Sequence, residues 1–320
     1  MRLGVLDVGS NTVHLLIVDA QPGMRMDPVR SVKEELRLAE LLDREGGLSD
    51  AGAEALVGAV RRARLAAEEE QVEDFLAFAT SAVRDAPNSG SVLDQVRSRT
   101  GVELAVLPAE EEARLTFLAV RRWFGWSTGH LLCLDIGGGS LEVATGPGEV
   151  ASVAVSFPLG AGRLSRQHLA GDHPTSAELE VARTHVRTTM QEGLEEILAA
   201  GQWDQAVVTS KTFRSLARLG GAAPYAAGPY VPRALTRQGL ERSVQLLAGL
   251  TVAERSALPG VSRARAPQLL AGALVASESF VALGVDSAAV CPWALREGMV
   301  LHHVDTSGDP LPHGGQARVP

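Results

Sequence analysis

An α/β protein of two similar domains, each presenting a turn to a shared cleft, is the fold class that the sequence predicts. Three observations carry that prediction. The first is length: 320 residues suffice for two domains that each bury a core. The second is rhythm, because short apolar runs ending in turn residues alternate with amphipathic segments that carry helix-start signals. The third is a duplicated stretch. Residues 130–145 read HLLCLDIGGGSLEVAT: an apolar run to Asp135, three glycines, Ser140, then an alternating run with Glu142. The opening MRLGVLDVGSNTVHLLIVDA repeats the plan, so that Asp7-x-Gly9-x-x-Thr12 aligns with Asp135-x-Gly137-x-x-Ser140. A supersecondary unit repeated at long spacing points to two like domains.

Composition narrows the function classes. Apolar content of 45% and charged content of 21% are ordinary for a soluble globular chain. A net charge of −8 argues against a general nucleic-acid or membrane-surface role. Any anion site must therefore be local, built from loops and a few Arg or Lys side chains. No apolar run approaches the 18 residues or so of a spanning helix. The chain opens directly into a strand, with neither a basic n-region nor an apolar h-region, so a cytoplasmic location is expected. Cys133 and Cys291 lie in apolar, strand-like contexts and read as buried free thiols. No Cys/His spacing suggests a metal site.

Taken in order, the first hairpin gives way to a polar link at 21–28 and a mixed segment to about Leu42. Ser49 is a plausible cap for a helix over 50–70 with Leu56, Val60 and Ala63 on one face. A buried strand at 74–79 runs into Thr80-Ser81-Ala82-Val83-Arg84. Residues 102–107 read as a strand that Pro108 ends, and a helix follows to about Trp123. The segment 121–129 is the natural hinge, dividing a first domain at 1–124 from a second at 125–304. A strand over 150–157 is followed by PLGAGR. Thr175-x-x-Glu178 is a capping box for a helix to about Ala199. A strand over 205–208 ends in Thr209-Ser210-Lys211-Thr212, a helix spans 236–250, and Thr251-x-x-Glu254 is a second capping box. A buried helix over 266–283 ends before Gly284. A last strand, turn and short helix close the second domain, and 305–320 reads as a disordered tail.

Several stretches carry chemistry. In the middle hairpin a strand-end carboxylate, Asp135, a turn of bare glycines and the Ser140 hydroxyl could take a phosphate with a divalent cation. An ordinary Gly-rich hairpin is the plain alternative. Ser81 and Arg84 could hold an anion through hydroxyl and guanidinium donors, or Ser81 could simply cap a helix. Glu110, Glu111 and Glu112 complement a helix dipole. Lying just past a strand end, one of them could also be a general base, and the pattern does not choose among them. Lys211 is one of two lysines in the chain, with Lys33; in a hydroxyl-rich stretch it is a phosphate contact or a coincidence.

The ordered motifs DVGSNTVHLLI (7–17), ATSAVRDAPN (79–88), EEEARLTF (110–117), DIGGGSLEV (135–143), TSKTF (209–213) and WALREG (293–298) resemble the exopolyphosphatase/guanosine pentaphosphatase (Ppx/GppA) family. That family belongs to the actin-like ATPase superfamily, and the resemblance covers about Met1 to His303. It implies two actin-like, ribonuclease H-like domains with mixed sheets flanked by helices and an active-site cleft between them. It implies too that the last helix packs back on the first domain. The implied activity is exopolyphosphatase, with guanosine pentaphosphate 5′-phosphohydrolase as the alternative. A non-catalytic regulator that binds polyphosphate or (p)ppGpp is the further alternative.

Carried over residue by residue, the resemblance makes Glu112 the general base. Asp135 and Glu142 become the cation ligands. Ser10, Asn11 and Thr12 form the first phosphate loop, and Gly137, Gly138, Gly139 and Ser140 the second. Ser81 and Arg84 are further phosphate contacts, and Ser210, Lys211 and Thr212 a third loop. The cation is expected to be Mg²⁺ or Mn²⁺, with a monovalent cation such as K⁺ as a further candidate. The partners are inorganic polyphosphate, (p)ppGpp as substrate or inhibitor, and a second copy of the chain in a homodimer. Neither nucleic acid nor membrane is expected. Departures from the family pattern are Pro108-Ala109 before the acidic run, Lys211 in place of glycine, and Trp293. An end after two domains fits a short form that favours short polyphosphates. An ATP-dependent kinase of the same superfamily would place a Gly-Gly loop after Val208, where Ser210-Lys211-Thr212 stand instead.

Overall fold

The computed structural model describes residues 1–21, 23, 26–43, 45–169 and 171–306. The first elements are strands β1 (Arg2–Val8), β2 (Thr12–Asp19) and β3 (Pro28–Glu35), then helix α1 (Asp50–Glu69), β4 (Asp74–Ala79), α2 (Ser81–Arg84), α3 (Ser89–Thr100) and β5 (Ala105–Val106). Next come α4 (Ala109–Phe124), β6 (Leu131–Ile136), β7 (Leu141–Gly146), β8 (Val153–Phe157), α5 (Ala161–His168) and α6 (Ser176–Ala199). The chain closes with β9 (Gln205–Thr209), α7 (Ser210–Leu219), β10 (Ala234–Thr236), α8 (Arg237–Ala248), α9 (Val252–Ser256), α10 (Leu269–Ala282), β11 (Ser287–Val290) and α11 (Leu295–Asp305). Two compact units result. One is Met1–Leu115 together with the stretch from Leu295, the other Thr116–Ala294, so one division falls inside α4. Beyond residue 306 the expected tail lies outside the described residues.

In the first unit the sheet order is β3-β2-β1-β4-β5. The β1–β2 and β2–β3 pairs are antiparallel, while β1–β4 and β4–β5 are parallel. Both faces are covered, as the parallel part of a sheet requires. The period of two in β1 sends Leu6 and Val8 to a core with Leu56, Val60, Val92 and Val96 of α1 and α3. Leu3 and Val5 go to the opposite core, with Leu115, Leu295 and Met299. Asp7 therefore lies on the α11 side of the sheet. His303 of α11 bonds Asp74 on β4 at 3.1 Å.

The second unit repeats the topology. Its order is β10-β11-β9-β6-β7-β8, with β6–β7 and β7–β8 antiparallel and β6–β9 and β9–β11 parallel. Thus β6, β7, β8 and β9 stand as β1, β2, β3 and β4 do. Leu132, Leu134 and Ile136 enter a core with Val186, Met190 and Ile197 of α6 and Leu270 and Leu274 of α10. Cys133 and Asp135 alternate to the other face. Every residue of α10 from Leu269 to Phe280 is buried, including Glu278, which pairs with Arg183 and Arg187 of α6. Arg121 is also buried; its guanidinium donates to the carbonyls of Gly125, Gly129, Gly146 and Gly148.

Several elements match the sequence expectation closely. Ser49 accepts from the Gly52 amide at the start of α1, and both capping boxes form, at Thr175 and at Thr251. Other elements differ. The strand expected over 102–107 shortens to two residues, because β5 has only β4 to pair with and Pro108 follows. The helix expected from Ala266 begins as a 3₁₀ turn over Ala266–Gln268 with Pro267 in it, where a missing N–H is tolerated. Residues 209–212, expected as a loop, enter α7 directly: Thr209 is the extended cap residue and Ser210 turns the chain at φ +93°.

Candidate active site

Both hairpins close in the same way. Antiparallel pairing runs to Val8 and Val13 in the first and to Ile136 and Leu141 in the second. The Gly9 amide donates to the Thr12 carbonyl at 3.0 Å, and the Gly137 amide to the Ser140 carbonyl at 2.9 Å. The aligned residues of the repeat therefore hold aligned places, Asp7 with Asp135 and Thr12 with Ser140.

The turn carbonyls point one way and are used. In the second unit the Gly137 carbonyl accepts from the Ala161 amide, and that of Gly138 accepts from the Arg163 amide, each at 3.0 Å. The Gly139 carbonyl accepts from Arg163 Nε at 2.9 Å. In a trans peptide the C=O of one residue and the N–H of the next point oppositely. The amides of Gly138, Gly139 and Ser140 are thereby turned away from α5, as neighbouring donors for an anion. The first unit does likewise, with Ser10 and Asn11 carbonyls accepting from the amides of Ala39 and of Leu36 and Arg37. The amides of Asn11 and Thr12 face the other way. The fit at α5 is close: a Cβ at Gly160 would stand 2.3 Å from the Gly139 backbone.

Within the first unit the structure brings four expected residues into two contacts. Ser10 Oγ and Ser81 Oγ, both buried, share a hydrogen bond of 2.9 Å and tie the first turn to the end of β4. Arg84 Nη1 donates to Glu112 Oε2 at 3.1 Å and to the Leu107 carbonyl at 3.0 Å. Glu112 thus lies in the first turn of α4, mostly covered and oriented by a guanidinium. Asn11 is buried at the turn and Thr12 opens β2.

Within the second unit Asp135 on β6 is directly opposite Glu142 on β7, a placement that leaves Cβ atoms about 4.5–5.5 Å apart. Glu142 is buried and accepts from Ser156 Oγ of β8 at 3.2 Å. Burial, Asp135, Cys291 and Glu142 all push the Cys133 thiol upward, which keeps it protonated and unreactive. Among the described residues no group of three or more His, Cys, Asp or Glu side chains converges. A Mg²⁺-like ion needs fewer, since one or two carboxylates suffice when water and phosphate oxygens complete its shell. The Asp135–Glu142 pair fits such an ion. Ser210 and Lys211 stand in the first turn of α7, while Thr212 is buried and accepts from Arg265 Nη1 at 3.3 Å.

Sequence reasoning gave no role to three side chains that the structure places at these turns. Arg163 braces the glycine turn, Asp7 is the first-unit counterpart of Asp135, and Arg296 donates to Asp7 Oδ2 at 3.0 Å. The repeat alignment contains a signal for Asp7, and WALREG contains Arg296. Arg163 had none, because α5 was not expected.

The chain is similar to known proteins both in sequence and in fold. Exopolyphosphatase 1 of Mycobacterium tuberculosis is 52% identical over 309 residues, covering 97% of this chain and 90% of the relative. An exopolyphosphatase structure from Cytophaga hutchinsonii has the same fold, with a TM-score of 0.84 at 23% identity over 96% of this chain and 98% of that one. The Aquifex aeolicus PPX-GPPA enzyme superposes with a TM-score of 0.78 at 25% identity, covering 94% and 99% of the two chains. The model of the Ppx/GppA phosphatase family matches residues 16–307, a span that takes in five of the six motifs whole, and the chain belongs to that family.

Proposed function

We propose that the protein is an exopolyphosphatase, releasing the terminal phosphate of inorganic polyphosphate by attack of water. The observation that carries this reading is the 52% identity to Exopolyphosphatase 1 across 97% of the chain. The chemistry of the residues supports it. Phosphoanhydride cleavage asks little covalent work of a protein; it needs oxyanion stabilisation, an aligned water and a base. Glu112, oriented by Arg84, takes the proton from the attacking water. The turned-out amides of Asn11, Thr12, Gly138, Gly139 and Ser140 bind phosphate oxygens, with the Ser81 and Ser210 hydroxyls, Arg84 and Lys211 as further donors. Thr212 contributes by holding Arg265. Asp135 and Glu142 hold a divalent cation, Mg²⁺ or Mn²⁺, which when bound neutralises phosphate charge. Donors that repeat along a chain of identical phosphates need no base-reading pocket, so guanosine pentaphosphate is the second substrate to test. Buried free thiols at Cys133 and Cys291 suit a reducing cytoplasm. We also propose a homodimer, which sedimentation at micromolar concentration tests.

Replacing Glu112 by Gln keeps an acceptor for Arg84 and removes the base. Phosphate release should fall by about 10²–10⁴-fold, with polyphosphate binding retained within a few-fold. Full activity would remove Glu112 from the mechanism. Release from polyphosphates of defined length should exceed release from guanosine pentaphosphate at matched Mg²⁺; the opposite order would assign the nucleotide as substrate.

A further inference from the structure

The two hairpins are one plan built twice, and they part at the positions that set charge. Asp7 and Asp135 hold the same place. Opposite Asp135 stands a second carboxylate, Glu142, whereas opposite Asp7 stands His14. His14 Nε2 shares a 2.7 Å hydrogen bond with Ser31 Oγ of β3, much as Glu142 is bonded by Ser156 Oγ of β8. The first turn of α11 then supplies Arg296, whose Nη1 lies 3.0 Å from Asp7 Oδ2, with both side chains largely covered. The charged groups acting on Asp7 are Arg296, Glu297 and Lys33; burial raises its carboxyl from the ordinary 3.8 and the guanidinium opposes that. Arg296 Nε is buried with no hydrogen-bond partner among the described residues. A buried donor left without a partner costs free energy, so this guanidinium is not arranged for stability alone.

We propose that Arg296 is the fixed cation of the first hairpin, taking there the electrostatic place that a divalent ion takes between Asp135 and Glu142. The chain accordingly binds one divalent cation and not two. This rests on the cation-dependent reading given above. A hydrated divalent ion is captured by net negative charge, and Asp7 beside a guanidinium has none to offer. The charge on arginine is permanent at any working pH, so no ion competes it away by deprotonating it. Arg296 is then a positioning residue: it fixes the strand end that carries the Ser10–Thr12 turn, with one N–H directed at no acceptor among the described residues.

The test is Mn²⁺ binding to the full chain without substrate, read by the electron paramagnetic resonance of the free ion. One Mn²⁺ per chain is expected, lost in Asp135→Asn and retained within about threefold in affinity in Asp7→Asn. Arg296→Met should uncover a second, weaker ion that Asp7→Asn added to it abolishes, while Arg296→Lys stays at one. Two ions in the unsubstituted chain, one of them lost with Asp7→Asn, would overturn the proposal and leave the hydrolase reading standing. No bound Mn²⁺ at all would likewise overturn the proposal, while the hydrolase reading is decided separately by phosphate release in Glu112→Gln. If Arg296→Met fails to fold, the unsubstituted, Asp7→Asn and Asp135→Asn stoichiometries decide the matter alone.

Discussion

A methyl group at position 160 would have nowhere to go. The glycine has ordinary negative φ (−69°), so its backbone would suit any residue; what excludes a side chain is the Gly139 backbone 2.3 Å from an added Cβ. Gly160→Ala must push the glycine turn off α5 and break the bonds from Ala161 and Arg163 to its carbonyls. Overpacking of this kind costs about 1–3 kcal/mol, and we expect phosphate release to fall further than stability, since the displaced amides are the proposed phosphate donors. Gly90→Ala is the control: it lies in α3 with nothing within 4 Å of an added Cβ, and should stabilise by about 0.5–1 kcal/mol. Urea midpoints and initial rates on the two variants check both statements. Equal loss of rate in both would disconnect the turn from catalysis. Sequence alone marks the glycines of DIGGGS but not Gly160, because close approach between two backbones is a tertiary fact.

Elements that announce themselves do so through local chemistry. The capping boxes at Thr175 and Thr251 and the Ser49 cap are complete within four residues of sequence, and all three form. Helices α3, α5 and α7 escape sequence reading because they start without such a signal, beside turn-forming Ser and Gly residues, and earn their stability from packing. Where α5 meets α6, the His168 and His185 rings lie 4.6 Å apart between centroids. Burial, and then the neighbouring imidazole, lower the His185 pKa below its ordinary 6.5. The folded chain therefore binds fewer protons there than the unfolded chain as pH falls through 6.5, and stability declines with pH over that window. Above 6.5 the term vanishes. Urea midpoints measured at pH 7.5 and 5.5 should show a smaller acid loss in His185→Gln than in the unsubstituted chain. An unchanged loss would place the acid sensitivity elsewhere.

At the scale of the whole chain, the most legible feature was the repeat. Aligning DVGSNT with DIGGGS anticipated two sheets of like topology, β3-β2-β1-β4 and β8-β7-β6-β9. The repeat also hid a difference. A Thr-Ser pair ends the parallel neighbour strand in each unit, Thr80-Ser81 and Thr209-Ser210, but Asp7 pairs with Phe78 and Asp135 with Thr209, a two-residue offset in register. Register across a parallel pair is set by tertiary packing, which explains why a motif comparison could not see it. The net charge of −8 makes the last prediction. A polyanionic substrate meets long-range repulsion from the chain and short-range attraction from a few Arg and Lys side chains and backbone amides. Salt screens the first before the second, because interactions beyond about 10 Å are largely lost at 0.1 M ionic strength. Raising tetramethylammonium chloride from about 10 to 100 mM at fixed free Mg²⁺ should therefore raise kcat/KM for polyphosphate. A protein that captured polyphosphate on a basic surface would show the reverse, and a steep fall with salt would mean that a cationic track guides the substrate.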